Sequence, residues 1–361
     1  MDMKELMKNK ELVSSWMEDE ESRFIFEKVC EYNDTQSFEP IRDVVINYAP
    51  KVNDYQENEY RYIDEIRKSS KENIWIWGSG MFGKRVLKAL TDNNIQVNGI
   101  IDIDKSKAGS VLGKQITIYP PEDVDFKNID CLIISMFKNI SDAVDLAVKK
   151  GMNEKNIIVF NDYIPTKNDK NQYFDEIVML NNGEVFVDVG AFDLETSLCF
   201  SDKCIQNNIT DYKIIAFEPS KESYKKCLEI TKKNSDINIS LVNAGLYCEN
   251  TVLGFDETKS SASCIDKNND NLIRFLTLDE YTDDKITFIK MDIEGAELNA
   301  LKGCKNTIIN NKPKLAICVY HKAEDIIEIP MYIKELVPEY KLYLRHYSNC
   351  HAETVLYALP Y

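Results

Sequence analysis

The side chains best suited to move a proton sit late in the chain. There are only three histidines, His321, His346 and His351, and none occurs before position 321. His321 follows the apolar run LAICVY, and Asp292 closes the preceding run FIKMD. In a doubly wound sheet the ends of these two strands are neighbours, so the two groups are expected at one rim. A neutral imidazole suits proton removal near neutral pH. His321 is therefore read as a general base, with Asp292 orienting it or the acceptor. Glu294, Lys322, Arg345 and His346 are expected at the same rim as substrate contacts, the two cations suiting an anionic or polyhydroxyl substrate. Asp292, Glu294 and His321 also offer ligand types for Mg²⁺. Carboxylates such as Glu294 and Glu297 at a helix start are explained more plainly by the helix dipole, and no metal is assigned.

A second set of residues has the spacing of a nucleoside-type site. Asp188, Gly190, Ala191 and Phe192 stand where the strand EVFVDVG turns into a helix. There a carboxylate and a glycine turn would serve the amino-acid end of S-adenosylmethionine, with backbone amides facing its carboxylate. Glu218, in AFEP, ends the next strand and suits a grip on ribose hydroxyls. Asn243 ends the third strand and is placed beside the adenine. Asp292 bounds this cofactor site as well as the acceptor rim.

The strings DVGAFD, AFEP, TLDEY, FIKMDIEGAELNALKG, LRHYS and ETVLYA occur in this order. Over about residues 183 to 361 the chain thereby resembles the FkbM family of methyltransferases. The resemblance implies a class I methyltransferase fold, S-adenosylmethionine as cofactor, and methyl transfer to hydroxyls of sugars or natural products. In-line transfer to a hydroxyl requires alignment and loss of the hydroxyl proton. Leu194 departs from the family's first motif, which more often has glycine there. Its side chain would either crowd the methionine tail of the cofactor or point away.

Upstream, Gly78, Gly80 and Gly83 spell GxGxxG between a predicted strand and helix, and Asp102 ends the following strand. This pattern suits a nucleotide diphosphate, with Asp102 on the ribose. It suits equally well close helix–strand packing with no ligand. The segment resembles the small Rossmann-like domains of nucleotide-sugar-modifying enzymes, through WGSGMFGKRV, GIIDID with Lys105 and Gly109, and CLIIS. A nucleotide-binding oxidoreductase is the competing class. Against it, no Tyr-x-x-x-Lys pair follows, and Tyr119 is succeeded by Pro120 and Pro121. A non-catalytic sugar-binding module is a third class, disfavoured by the acids Asp188, Glu218 and Asp292.

The alternation of strand and helix patterns predicts an α/β protein with two Rossmann-like units in tandem. Residues 1–70 read as a helical N-terminal segment, a cap or a surface for homo-oligomer formation. Residues 71–165 read as the nucleotide or nucleotide-sugar-binding unit and 165–172 as a linker. Residues 175–361 read as the methyltransferase domain, a seven-stranded sheet ending in a hairpin. An insertion at 251–281 is expected to form a short hairpin. The net charge of −16 opposes binding to a phosphate backbone, so nucleic acid is not an expected partner and a saccharide or nucleotide-sugar is. Nothing reads as a signal peptide or membrane span, which favours a cytoplasmic protein. The ten cysteines include no CxxC pair. Cys131, Cys199 and Cys318 lie in apolar runs and read as core.

Overall fold

The computed structural model describes residues 3–35, 39–48, 62–68, 71–113, 116–136, 140–160, 172–257, 263–266, 269–348 and 351–361. The linker expected over 165–172 lies outside these residues except for Gln172, as does Tyr60 of the expected helical segment. The chain forms two compact units: Met1–Ala49 with Pro165–Tyr361, and Pro50–Ile164.

The first three helices are α1 (Met3–Ser15), α2 (Glu20–Thr35) and α3 (Glu39–Tyr48). Residues 62–68 form α4. The inserted unit continues with β1 (Ile74–Trp77), α5 (Met81–Asp92), β2 (Gly99–Ile101), β3 (Val111–Leu112), β4 (Ile116–Tyr119), β5 (Cys131–Ile134), α6 (Ile140–Lys149) and β6 (Ile157–Val159). Its sheet has the order β3-β4-β2-β1-β5-β6, parallel except for the short β3. Every residue of β5 is buried, as expected for a parallel strand covered on both faces.

The larger unit continues through β7 (Glu184–Val189), α7 (Glu195–Gln206), β8 (Tyr212–Phe217), α8 (Lys221–Lys233), β9 (Ile239–Val242), β10 (Gly245–Leu246), β11 (Thr251–Asp256), β12 (Cys264–Ile265) and β13 (Leu272–Leu276). It ends with α9 (Leu278–Tyr281), β14 (Phe288–Met291), α10 (Glu297–Lys302), α11 (Lys305–Asn311), β15 (Lys314–Cys318), α12 (Asp325–Leu336), β16 (Lys341–His346) and β17 (Thr354–Leu359). Seven strands form one sheet in the order β16-β17-β15-β14-β7-β8-β9. Only β17 runs against its neighbours. This is the seven-stranded sheet with a terminal hairpin that the strand pattern predicts. The insertion builds more than a hairpin: β11 pairs with both β12 and β13, and β10 joins β13 in a four-stranded sheet.

The expected helical segment at 1–70 is divided between the two units. Helices α1–α3 belong with the larger one, because α2 seals the edge of its sheet. Met17 bridges to Leu342, Ser22 Oγ accepts the Leu344 N–H at 2.9 Å, and Ile25, Phe26 and Val29 enter the cluster of Ile333, Leu342 and Leu344. Covering an edge strand removes a template for unwanted pairing. Arg345, expected to contact substrate, is the main polar tether of this contact. It is 5% exposed, and its Nη2 donates to Asp19 Oδ2 at 2.7 Å while Nη1 donates to Ser22 Oγ at 3.0 Å. Its guanidinium is consumed by α2, so it is not a substrate contact. Among the described residues, no helix is long and apolar enough to cross a membrane.

Candidate active site

A cleft opens at the C-terminal ends of β7, β8 and β14. Gly190, Phe192, Glu218, Asp292 and Glu294 line it, with Phe255, Ile265 and Phe275 supplied by the inserted sheet. Gly190 has φ of +81°, and a Cβ there would stand 2.2 Å from the Asp292 carbonyl oxygen. A glycine is required for the two strand ends to approach.

Glu218 is 5% exposed and accepts the Phe192 N–H at 2.8 Å and the Ser220 N–H at 2.7 Å. Burial pushes its carboxyl up to about 7 despite those two donors. Asn243 does not line the cleft. Its Nδ2 donates to the carbonyls of Glu218 at 2.9 Å and Pro219 at 3.2 Å, so it positions Glu218 instead of flanking a base.

Asp188 also differs from expectation. It is fully buried below the cleft floor, accepting Ser197 Oγ at 2.7 Å and Lys290 Nζ at 3.0 Å. Lys290 stands directly opposite it in the β7–β14 register and also donates to the Gly190 carbonyl at 2.9 Å. Asp188 is thus an internal brace for the turn. The amides of that turn are engaged too. Gly190 and Ala191 donate to the Phe217 carbonyl at 3.1 and 3.0 Å, and Phe192 donates to Glu218. The expected amide cradle for a ligand carboxylate is therefore occupied by β8. Ala191 faces a buried cluster with Leu194, Ala216 and Cys227.

That cluster resolves the Leu194 question. Leu194 takes φ of 62° at the N-cap of α7, the left-handed geometry a glycine would favour, yet its side chain is fully buried away from the cleft. Left-handed geometry costs a non-glycine residue about 1–2 kcal/mol. Removing a buried leucine side chain costs about 2–5 kcal/mol. Leu194→Gly is therefore expected to destabilise the protein by roughly 2 kcal/mol, measured by urea denaturation. A stabilised variant would show that the leucine is only a strained stand-in for glycine.

At the other end of the cleft a polar cluster gathers around Asp292. Tyr173 Oη donates to its Oδ2 at 2.8 Å, and Tyr320 Oη to its Oδ1 at 3.3 Å. His321 Nε2 lies 3.4 Å from Asp292 Oδ1 and 3.6 Å from Glu294 Oε2, while Nδ1 lies 2.9 Å from Glu297 Oε1. Burial works against ionising Asp292, but the charges of Lys290 and His321 and the Tyr173 hydrogen bond hold its pKa below the ordinary value. Burial also disfavours a charged His321. Glu297, then Asp292 and Glu294, overcome that and push the imidazole up to about 9. With that pKa, His321 is a cation at neutral pH and has no lone pair to accept a proton. The expectation of a neutral general base is corrected: of the two, Asp292 is the group in its basic form.

The remaining rim residues are used elsewhere. Lys322 Nζ donates to the Gly295 carbonyl and braces the turn. His346 is buried, its Nδ1 2.8 Å from Thr354 Oγ1 across the hairpin. His351 stacks on Tyr32 with ring centroids 5.4 Å apart. In the inserted unit, Asp102 Oδ2 accepts Ser79 N–H at 3.1 Å and Lys107 Nζ at 3.2 Å, and Oδ1 accepts the Asp104 N–H at 2.9 Å. Its carboxylate thus braces the glycine turn and leaves little capacity for a ribose. A Cβ on Gly78 would meet the Ser135 carbonyl oxygen at 2.5 Å, and one on Gly83 the Gly78 carbonyl oxygen at 1.8 Å, whereas Gly80 faces open space. Two of the three glycines therefore serve packing.

Sequence reasoning missed Lys290, Ser197, Tyr173 and Tyr320. Lys290 carried a signal, since a lysine inside the otherwise apolar strand FIKM requires a buried counter-charge. Tyr173 carried none, because nothing in a pre-strand segment says which rim it will reach.

Residues 188–340 match the family model described as Methyltransferase FkbM domain, and residues 70–158 match that described as C2185-like, N-terminal. None of the curated proteins matches the chain in sequence. Among solved structures the chain is similar to methyltransferase FkbM from Methylobacillus flagellatus KT, at 18% identity and a TM-score of 0.49, over 89% of this chain and 100% of that one. It is similar to an rRNA methylase from Streptococcus thermophilus at 15% identity and a TM-score of 0.33, over 50% of this chain and 87% of that one. A third similar structure is SMU.1697c from Streptococcus mutans in complex with SAH, at 14% identity and a TM-score of 0.32, over 50% and 91% of the respective chains.

Proposed function

We propose that this chain, whose residues 188–340 match the family model described as Methyltransferase FkbM domain, transfers a methyl group from S-adenosylmethionine to a hydroxyl of a saccharide or related small molecule. The observation that carries the reading is one cleft bounded by a buried carboxyl, Glu218, at one end and by the Asp292 cluster at the other. Glu218, fixed by two backbone donors, is placed to accept hydrogen bonds from ribose hydroxyls. Phe255 and Phe275 offer apolar faces for a purine. Gly190 keeps the floor between these ends free of a side chain. The cofactor, when bound, supplies an electrophilic methyl group on a sulfonium.

The residues of this chain then have the acceptor to manage. A sugar hydroxyl is a weak nucleophile at neutral pH and must lose its proton as the bond forms. Asp292 is a carboxylate on the cleft wall and is the proposed proton acceptor. Tyr173, Tyr320 and the His321 cation hold it in place. A rim with carboxylates at Asp292 and Glu294 suits a ligand that presents several hydroxyl donors.

The test is transfer of labelled methyl from S-adenosylmethionine to a panel of mono- and oligosaccharides and nucleotide-sugars. Asp292→Asn is expected to lower transfer by about 10²–10⁴-fold while S-adenosylhomocysteine still binds within a few-fold of wild type. A variant with undiminished transfer would sink the role given to Asp292. Labelling of amines or thiols with no hydroxyl acceptor would sink O-methylation.

A further inference from the structure

We infer that His321, Asp292 and Glu297 form a binding site for a divalent cation of the Mg²⁺ or Mn²⁺ class. The cation's use in catalysis rests on the methyltransferase reading above, but its binding does not. One ligand atom from each of these three side chains lies within 4.8 Å of the others. Only one ring nitrogen can bind an ion: Nε2 is 3.4 Å from Asp292 Oδ1, whereas the 2.9 Å contact to Glu297 Oε1 is made by Nδ1. Adjacent ligands around a six-coordinate ion with bonds of about 2.1 Å stand roughly 3 Å apart, so the three atoms, within 4.8 Å of one another, would draw together with the ring presenting one nitrogen to both acids. Glu294 Oε2, 3.6 Å from Nε2, adds a further oxygen at the cleft wall. One imidazole nitrogen among carboxylate oxygens suits Mn²⁺ or Mg²⁺ better than the softer metals.

The acids alone would not make a site. The second observation is that buried polar atoms here lack partners. Glu297 is 0% exposed; its Oε1 accepts the Ile293 N–H at 2.8 Å, but Oε2 has no hydrogen-bond partner among the described residues. The His321 side chain is 8% exposed, and neither ring nitrogen has a hydrogen bond of acceptable geometry. Leaving such groups unpaired costs about 1–3 kcal/mol each, more when charged. Lys290 donates to Asp188 and Lys322 to the Gly295 carbonyl, so the Lys290 charge acts on Asp292 from a distance and neither lysine bonds Glu297 Oε2 or the His321 ring. Three carboxylates thus surround one imidazole, and a divalent ion that displaces the proton from its ligating nitrogen compensates that charge more completely than the proton does.

The backbone supports the arrangement. Asp292 ends β14 and His321 follows the adjacent β15. Glu294 and Gly295 take φ of 55° and 90°, turning the chain so that Glu297 comes back toward Asp292. The hydrogen bonds from Tyr173 and Tyr320 to Asp292 are the outer-shell contacts that fix a metal-ligating carboxylate. Asp292 and Glu294 line the cleft, so an ion held there is reached from it and can take an acceptor hydroxyl as a further ligand. Asp292 Oδ1 would face the ion, and Oδ2, which accepts one hydrogen bond from Tyr173, keeps a lone pair for the acceptor proton.

The experiment is titration of the full chain, stripped with chelator, with MnCl₂ near neutral pH, followed by the electron paramagnetic resonance signal of free Mn²⁺. One ion per chain is expected, with His321→Ala and Glu297→Gln each weakening it by about tenfold or more. If His321→Ala does not fold, Glu297→Gln carries the test, since glutamine keeps an acceptor for the Ile293 N–H. No uptake at millimolar Mn²⁺, or uptake unchanged in the variants, overturns the site. A parallel S-adenosylhomocysteine titration separates the two claims. Cofactor binding without Mn²⁺ uptake removes the cation site alone. Variant-sensitive Mn²⁺ uptake without cofactor binding upholds the cation site and removes the methyltransferase reading.

Discussion

Glu218→Gln is expected to weaken S-adenosylhomocysteine binding by about 2 kcal/mol, roughly thirtyfold, from the loss of charge-assisted hydrogen bonds to the ribose. The pH dependence makes the test specific. Burial pushes the Glu218 carboxyl up to about 7, against an ordinary value of 4.5. On the proposed reading the ribose is held by the Glu218 carboxylate, so a proton must leave before the cofactor binds below that pH. Wild-type affinity should therefore fall about tenfold from pH 8 to pH 6. Stability of the unliganded protein should move the other way. A raised acid pKa contributes stability that is complete below pH 4.5 and lost as pH rises through 7. That loss amounts to at most about 3 kcal/mol. Glutamine removes both slopes. Calorimetry at two pH values and denaturation curves across the same range would measure them. If the stability slope disappears in Glu218→Gln while affinity is unchanged, Glu218 is a buried acid with no part in holding the ribose.

The sequence patterns located the sheet better than they located the chemistry. The order β16-β17-β15-β14-β7-β8-β9 follows from apolar runs separated by helical periods and a terminal hairpin, because strand burial is written in every residue of a run. Site roles depend on which direction a strand-end side chain takes, and that is fixed by partners distant in sequence. Asp188 and Glu218 end neighbouring strands with similar motifs, yet Asp188 points down to Lys290 and Ser197 whereas Glu218 reaches the cleft. Arg345 reads as a substrate contact because its strand ends near the rim, but its partners, Ser22 in α2 and Asp19 just before it, lie more than 300 residues earlier in the chain. That His321 lies beside Asp292 is legible in the sequence, but its charge state is not, since that follows from Glu297, Asp292 and Glu294 converging on one ring. The helical segment showed its own periodicity but not that α2 would cover the sheet edge.

Lys290→Met is expected to cost about 3–5 kcal/mol of stability, the usual penalty for leaving one member of a buried ion pair uncompensated. Asp188 is 0% exposed, and with Lys290 gone only Ser197 Oγ is left to it among the described residues. Replacing both partners should cost far less than the sum of the single changes, because the penalty comes from the unpaired charge and not from loss of the attraction. Asp188→Asn with Lys290→Met keeps an acceptor for Ser197 and puts an apolar side chain in the lysine's place. Urea denaturation of the four proteins closes the cycle, and strict additivity would show that the two side chains do not act as a pair. The same lysine reaches the active site by two routes. It donates to the Gly190 carbonyl at 2.9 Å, fixing the cleft floor, and its charge is the foremost influence holding the Asp292 pKa down. In the double variant, therefore, stability should be largely restored while the pKa of Asp292 stays raised. The acidic limb of its methyl-transfer profile should shift to higher pH than in wild type. An unshifted limb in a well-folded double variant would mean that Asp292 is not the group whose ionisation limits transfer.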